Sequence, residues 1–158
     1  MSRRRFLARL AATGLTLSPL AAALSACGQK GGWPEGMAEI KWDRDTCVRC
    51  SMVISDRRFA AQMRGGEKNT AFKFDDIGCL AIWLRDKAAA HPWMADAATR
   101  MWVADSSGQG ERWLDPRTAQ FVGGKTSPMG YNFAAVAAAV PGSLTFDAMR
   151  EHVLAKGK

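Results

Sequence analysis

The sequence is poor in the side chains that most often carry catalysis. Its 158 residues include two histidines, one tyrosine and four cysteines. The histidines, His91 and His152, lie far from Cys47 and Cys50 in sequence, which counts against a zinc site of the usual Cys/His kind. No Ser/His/Asp set, phosphate-binding glycine loop or EF-hand pattern is present, which removes the common hydrolase, kinase and calcium-binding readings, and no enzymatic activity is expected. The formal charge of +7 overstates the basicity. Four of the 22 Lys+Arg and none of the 15 Asp+Glu lie in residues 1–26, leaving 18 against 15 beyond them. No Lys/Arg cluster with interleaved aromatics remains, so nucleic acid is a poor partner. The remaining length of roughly 130 residues is enough for one core and too little for two.

What the sequence does have begins at the N-terminus. Ser2-Arg3-Arg4-Arg5 is a basic head, and residues 6–23 are an apolar stretch interrupted by Arg9 and Pro19. Leu24-Ser25-Ala26-Cys27 then sets small residues before a cysteine. This is the order of a secretory signal, and its end resembles a lipobox, at which Cys27 takes a diacylglycerol and becomes the new N-terminus. The run Ser2-Arg3-Arg4-Arg5-Phe6-Leu7 also looks like a twin-arginine export signal. A transmembrane anchor fits less well, because the stretch is short for a ~20-residue span and contains Arg9. The expected division is a signal peptide at 1–26, a lipidated, flexible Gly-rich tether at 27–39 and a folded domain at 40–158. The protein is then membrane-anchored and periplasm-facing. Trp33 and Trp42, close to the tether, are placed to rest on a membrane.

Periodicity predicts an α+β fold. Residues 58–63 and 70–74 read as strands joined by a Gly65-Gly66 turn, with Phe72 and Phe74 on one face. Asp75 or Asp76 then caps a helix whose Ile77, Leu80, Ala81 and Leu84 recur at i, i+3, i+4 and i+7. A second round follows, with strands at 101–103 and 119–122, a loop at 123–130, and an Ala-rich helix at 133–140 capped by Asn132 and stopped by Pro141-Gly142. The chain therefore reads as two tandem β-β-α units forming one small domain. A C-terminal helix at 145–154 closes it, with Phe146, Met149, Val153 and Leu154 on one face.

Soft donors are concentrated at two places. Cys47-Val48-Arg49-Cys50-Ser51-Met52 puts two thiols and a thioether within six residues, a donor set that selects Cu(I) over harder ions. A C-x-x-C turn can aim both sulfurs at one ion. Met129, in the loop Thr126-Ser127-Pro128-Met129-Gly130, has no periodic packing reason, unlike Met63 and Met149. If the two units are related by approximate symmetry, this loop and the Cys47–Met52 hook face each other across a shared cleft. Outside the cytoplasm paired thiols tend to oxidise, and a thioether keeps Cu(I) affinity where thiols are at risk.

These segments carry a resemblance. Residues 45–54 around Cys47, Cys50 and Met52, then Phe74-Asp75-Asp76-Ile77-Gly78-Cys79-Leu80, then the Met129 loop, resemble the NosL family of nitrous-oxide reductase accessory lipoproteins, in the same order and behind the same kind of lipobox. The resemblance implies a membrane-tethered Cu(I) chaperone of two β-β-α-type halves. Such a protein hands copper to a periplasmic assembly protein or reductase, with Cys47, Cys50, Met52 and Met129 as the metal residues. The family pattern has Gly where this chain has Ser51, and a turn requiring positive φ disfavours Ser there.

Other readings compete. Cys47 and Cys50 can form a structural disulfide in a non-metal lipoprotein that acts as an interaction module. They can also serve a thiol–disulfide oxidoreductase, although no thioredoxin-like βαβ context surrounds them. Both alternatives leave Met52 and Met129 without a role. Cys79, beside the Leu80 face of the first helix, reads as a buried core cysteine. Asp75 and Asp76 read as caps, His91 as a loop residue and His152 as a solvated one.

Overall fold

Alternating apolar residues build a four-stranded antiparallel sheet in the computed structural model, which describes residues 32–108 and 110–156. The signal, twin-arginine and Cys27 readings lie outside the described residues. Strands β1 (Ala61–Gly65) and β2 (Thr70–Phe74) form a hairpin, with Gly66 at φ +73° in its turn. The other side of β1 pairs with β3 (Arg100–Ala104), and β3 pairs with β4 (Trp113–Leu114), giving the order β2-β1-β3-β4.

Strand period 2 sends alternate residues to opposite faces. Ala61 stands between Phe74 and Val103, and Met63 between Phe72 and Met101, so these residues share the inner face. The inner face packs on helix α1 (Ile77–Asp86) through Ile77, Leu80 and Ala81, all buried in the main core. Asp76 caps α1 by accepting a hydrogen bond from the Gly78 N–H at 2.8 Å, as the Asp-before-apolar-run signal predicts.

The outer face carries Gln62 and Trp102, which are opposite each other in register. It is covered by the chain before β1, where Met37, Ile40 and Ile54 are buried with Ala60 and Trp102 in a second core. Gln62 is fully buried and exchanges two 2.8 Å hydrogen bonds with the Ala38 backbone, one through each end of its amide. A buried amide requires such partners, and it draws residues 33–39 onto the sheet.

A second, two-stranded antiparallel sheet joins β5 (Gln120–Gly123) to β6 (Phe133–Val136). Helix α2 (Phe146–Ala155) follows, capped by the Thr145 hydroxyl, which accepts from the Ala148 N–H. Phe146, Met149 and Val153 are buried in the same core as α1. The expected α+β class is observed: the described residues form two antiparallel sheets and two α-helices, the second of which is the closing C-terminal helix.

One element differs from expectation. Residues 133–140 are not a helix: 133–136 form β6. Asn132 does not cap but turns the chain at φ +67°, which aligns Phe133 with Gly123 and Val136 with Gln120. Alanine propensity is a weak preference over eight residues, and cross-strand pairing with β5 overrides it. The second β-β-α unit is thus β5-β6-α2, and β3 and β4 extend the first sheet.

Candidate metal centre

The C-x-x-C segment is a closed hook. A Thr46–Val53 bridge shuts its base, the Cys47 N–H donates to the Met52 carbonyl at 2.8 Å, and the Ser51 N–H donates to the Cys47 carbonyl at 2.9 Å. Ser51 takes φ +63°, the left-handed conformation that glycine adopts without strain. The Val48 N–H donates to the Lys73 carbonyl at 2.9 Å, which seats the hook on the outer edge of β2. Residues 75–79, which leave that strand and open α1, therefore run beside it.

Four ligand atoms converge there. The sulfurs of Cys47, Cys50 and Cys79 and a carboxylate oxygen of Asp75 all lie within 4.8 Å of one another. Cys47, Cys79 and Asp75 are buried, Cys50 is half-buried, and all three cysteines are free thiols. The Cys50 thiol donates to Asp75 Oδ1 at 3.3 Å, while Asp75 Oδ2 is buried with no partner. An orphaned buried carboxylate oxygen is costly unless something fills its place, and the other oxygen of the same carboxylate already accepts from a thiol of the cluster.

Electrostatics divide the thiols. The hydrogen bond from the Cys79 thiol, helped by nearby backbone N–H groups, outweighs burial and lowers Cys47 from 9.0 to about 7. Burial pushes Cys50 up to about 12. Cys79 is held above the ordinary thiol range, first by its hydrogen bond to Cys47 and then by burial. Between about pH 8 and pH 11 the cluster offers one thiolate and two thiols, and an arriving cation displaces protons as it recruits the others.

The Met129 loop is fixed to the same corner. Asp76 Oδ2 accepts from the Ser127 hydroxyl at 2.6 Å and from the Met129 N–H at 3.1 Å. The Asn132 N–H donates to Ser127 Oγ at 2.9 Å. Tyr131 packs against the start of α1, where a Cβ on Gly78 would fall 2.2 Å from its ring. Arg49 of the hook donates to the Tyr131 hydroxyl at 2.9 Å and approaches Cys79 Sγ at 3.9 Å. Hook and loop therefore meet at the N-terminus of α1, joined by Arg49 and Tyr131.

Of the residues expected at the site, Cys47 and Cys50 belong to the cluster. Met52 is 55% exposed at the end of the hook, and Met129 is half-buried against the main core. The sequence reading left out Cys79 and Asp75. Cys79 is as buried as expected, yet its sulfur points into the cluster and not only into the core. Of the two acids expected as alternative caps, Asp76 does the capping.

No helix among the described residues is long and apolar enough to cross a membrane. No protein-family model and no curated protein matches the sequence. Among solved structures, the fold is similar to the copper chaperone NosL from Shewanella denitrificans, with a TM-score of 0.54 and 19% identity over 75% of this chain and 88% of that one. At that identity the likeness concerns the fold.

Proposed function

We propose that this chain is a membrane-tethered, extracytoplasmic Cu(I)-binding chaperone that delivers copper for nitrous-oxide reductase assembly. The observation that carries the reading is the convergence of three cysteine sulfurs within 4.8 Å, on a fold like that of a copper chaperone. Thiolates in such a group are soft donors suited to Cu(I). Cys47 is the first donor, Cys50 at the half-open side is the second, and Cys79 closes the set from α1. Met52 and Met129 are auxiliary thioether donors on the hook and the pinned loop. Copper leaves by ligand exchange, as a partner's donors replace Cys50 and the thioethers before the buried Cys47 and Cys79 release it. A lipid on Cys27 confines that search to the membrane surface, where the effective concentration of a membrane-bound partner is raised.

Asp75 favours a second reading. A Cys3Asp group within 4.8 Å also suits tetrahedral Zn(II), for which a carboxylate is a better ligand than for Cu(I). Anaerobic titration of the reduced protein with Cu(I) against a competing chelator, and in parallel with Zn(II), separates the two. The copper reading expects uptake of about one equivalent, weakened by Cys50→Ser and Met129→Ala and indifferent to Asp75→Asn. Tight Zn(II) uptake abolished by Asp75→Asn, with no competitive Cu(I) uptake, replaces copper with zinc.

A further inference from the structure

The copper reading makes no use of the outer face of the sheet, where four of the six tryptophans gather. Trp33, Trp42 and Trp113 pack on one another with ring centroids 5.5, 6.0 and 6.5 Å apart. All three are half-buried, and they form the outer layer over buried Met37, Ile40, Ile54 and Trp102. The exposed Arg57 lays its guanidinium over Trp42, 5.2 Å from the ring centroid. Gly110, at φ +82°, leaves room for this, since a Cβ there would stand 2.8 Å from Arg57 Cβ and 3.2 Å from the Trp42 ring.

We propose that this tryptophan face rests on the bilayer, with its indoles at headgroup level and Arg57 directed to lipid phosphates. The inference rests on the membrane-tethered part of the reading above. Cys27 precedes Trp33 by six residues, so a lipid on Cys27 keeps Trp33 within roughly 20 Å of the membrane. Amphipathic indoles favour the membrane–water interface, and a cation beside them favours anionic lipid. The sheet order supplies a functional reason. Trp113 lies on β4 at one edge, whereas the cysteine hook is bonded to β2 at the other. Three strand spacings, roughly 14 Å, separate those edges, so a bilayer beneath Trp113 leaves the sulfur mouth open to a partner.

Quenching of tryptophan fluorescence tests this on the full chain reconstituted in phosphatidylcholine–phosphatidylglycerol vesicles containing a brominated lipid. Every tryptophan lies at position 33 or beyond, so the emission reports the folded unit alone. Bromine should quench the wild type, and the double variant Trp33→Phe, Trp42→Phe should lose roughly half or more of the quenched share. The pair Trp83→Phe, Trp93→Phe should keep it, and Arg57→Glu should reduce it most in phosphatidylglycerol-rich vesicles. Circular dichroism verifies that each variant folds. Vesicle-bound protein whose emission ignores bromine overturns the proposal while the tether and the copper reading stand. Quenching lost equally with the Trp83/Trp93 pair overturns it as well. A chain that does not attach to vesicles overturns the tether and this proposal together, and Cu(I) titration of the same preparation then judges copper on its own.

Discussion

The two sides of the four-stranded sheet are held in different ways. Beyond the β2 edge, small groups are placed by hydrogen bonds: Asp76 accepts three, Arg49 bridges to Tyr131, and Ser127 and Asn132 lock the loop. On the outer face large rings are placed by area, with Trp33, Trp42, Trp102 and Trp113 layered on aliphatic side chains. Hydrogen bonds fix direction, which a metal cluster requires. Area fixes contact without fine aim, which suffices for a cover or a resting surface. The two sides should therefore fail independently and in different ways.

The largest expected effect is on the tryptophan side. Trp102 is 8% exposed and lies across from Gln62, so Trp102→Ala should lower unfolding stability by about 3–5 kcal/mol, read from a denaturant midpoint. Metal uptake by the protein that remains folded should be unchanged, and a parallel loss of affinity would show that the two sides are coupled. Next is Gly78→Ala. In an open helix this change stabilises by up to about 1 kcal/mol. Here the new Cβ would meet the Tyr131 ring at 2.2 Å, and overpacking of about 1–3 kcal/mol should reverse the sign. Because Tyr131 joins the hook to the Met129 loop, this variant should also weaken metal uptake, which Trp102→Ala should not.

The thiols make a pH prediction confined to the sulfur side. Cys47 has its pKa lowered to about 7 in the folded state, so its contribution is fully present above pH 9 and is lost as pH falls through 7. Cys50 and Cys79 are raised, so theirs is present below about pH 9 and is lost as pH climbs beyond it. The thiol contribution to apo stability should thus peak near pH 9, changing by about 1.4 kcal/mol per pH unit for each proton involved. Thiolate absorbance at 240 nm should show one step near pH 7 that vanishes in Cys47→Ala and moves upward in Cys79→Ala. Three thiols titrating together near pH 9 would sink this account.

Local patterns were legible in the sequence and convergent ones were not. The β1-β2-α1 unit could be read because alternation, the Gly turn, the Asp cap and the i, i+3, i+4 stripe all lie within thirty residues of chain. Strand β6 was misread because its pairing with β5 is a property of the returning chain, whereas the alanine run is visible at once. Asp75 and Cys79 were missed because their partners sit on the hook, about thirty residues earlier. A signal was nonetheless present: one acid suffices for a cap, so the second was spare. Cys79 gave no comparable signal, because a cysteine beside Leu80 reads as core and is indeed fully buried there. The pinning of residues 33–39 by Gln62 left no signal, because a glutamine in a strand reads as solvent-facing.

The smallest expected effect bears on the one hook residue held in the left-handed conformation. Ser51 holds φ +63°, and a non-glycine residue there carries about 1–2 kcal/mol of strain. Ser51→Gly relieves that strain but gives the unfolded chain more freedom, which offsets about 0.4–1 kcal/mol. The balance should be a gain of roughly 0.5 kcal/mol in the apo protein, visible as a small rise in urea midpoint. The Ser51 N–H bond to the Cys47 carbonyl survives the change, so the sulfurs should keep their positions and the metal stoichiometry should not move. Ser51→Val should go the other way by a larger amount, because a β-branched residue tolerates this conformation least. If glycine instead lowers the midpoint, the serine hydroxyl supports the hook in a way its backbone angle does not reveal, and the sulfur side then depends on more than its hydrogen-bonded pins.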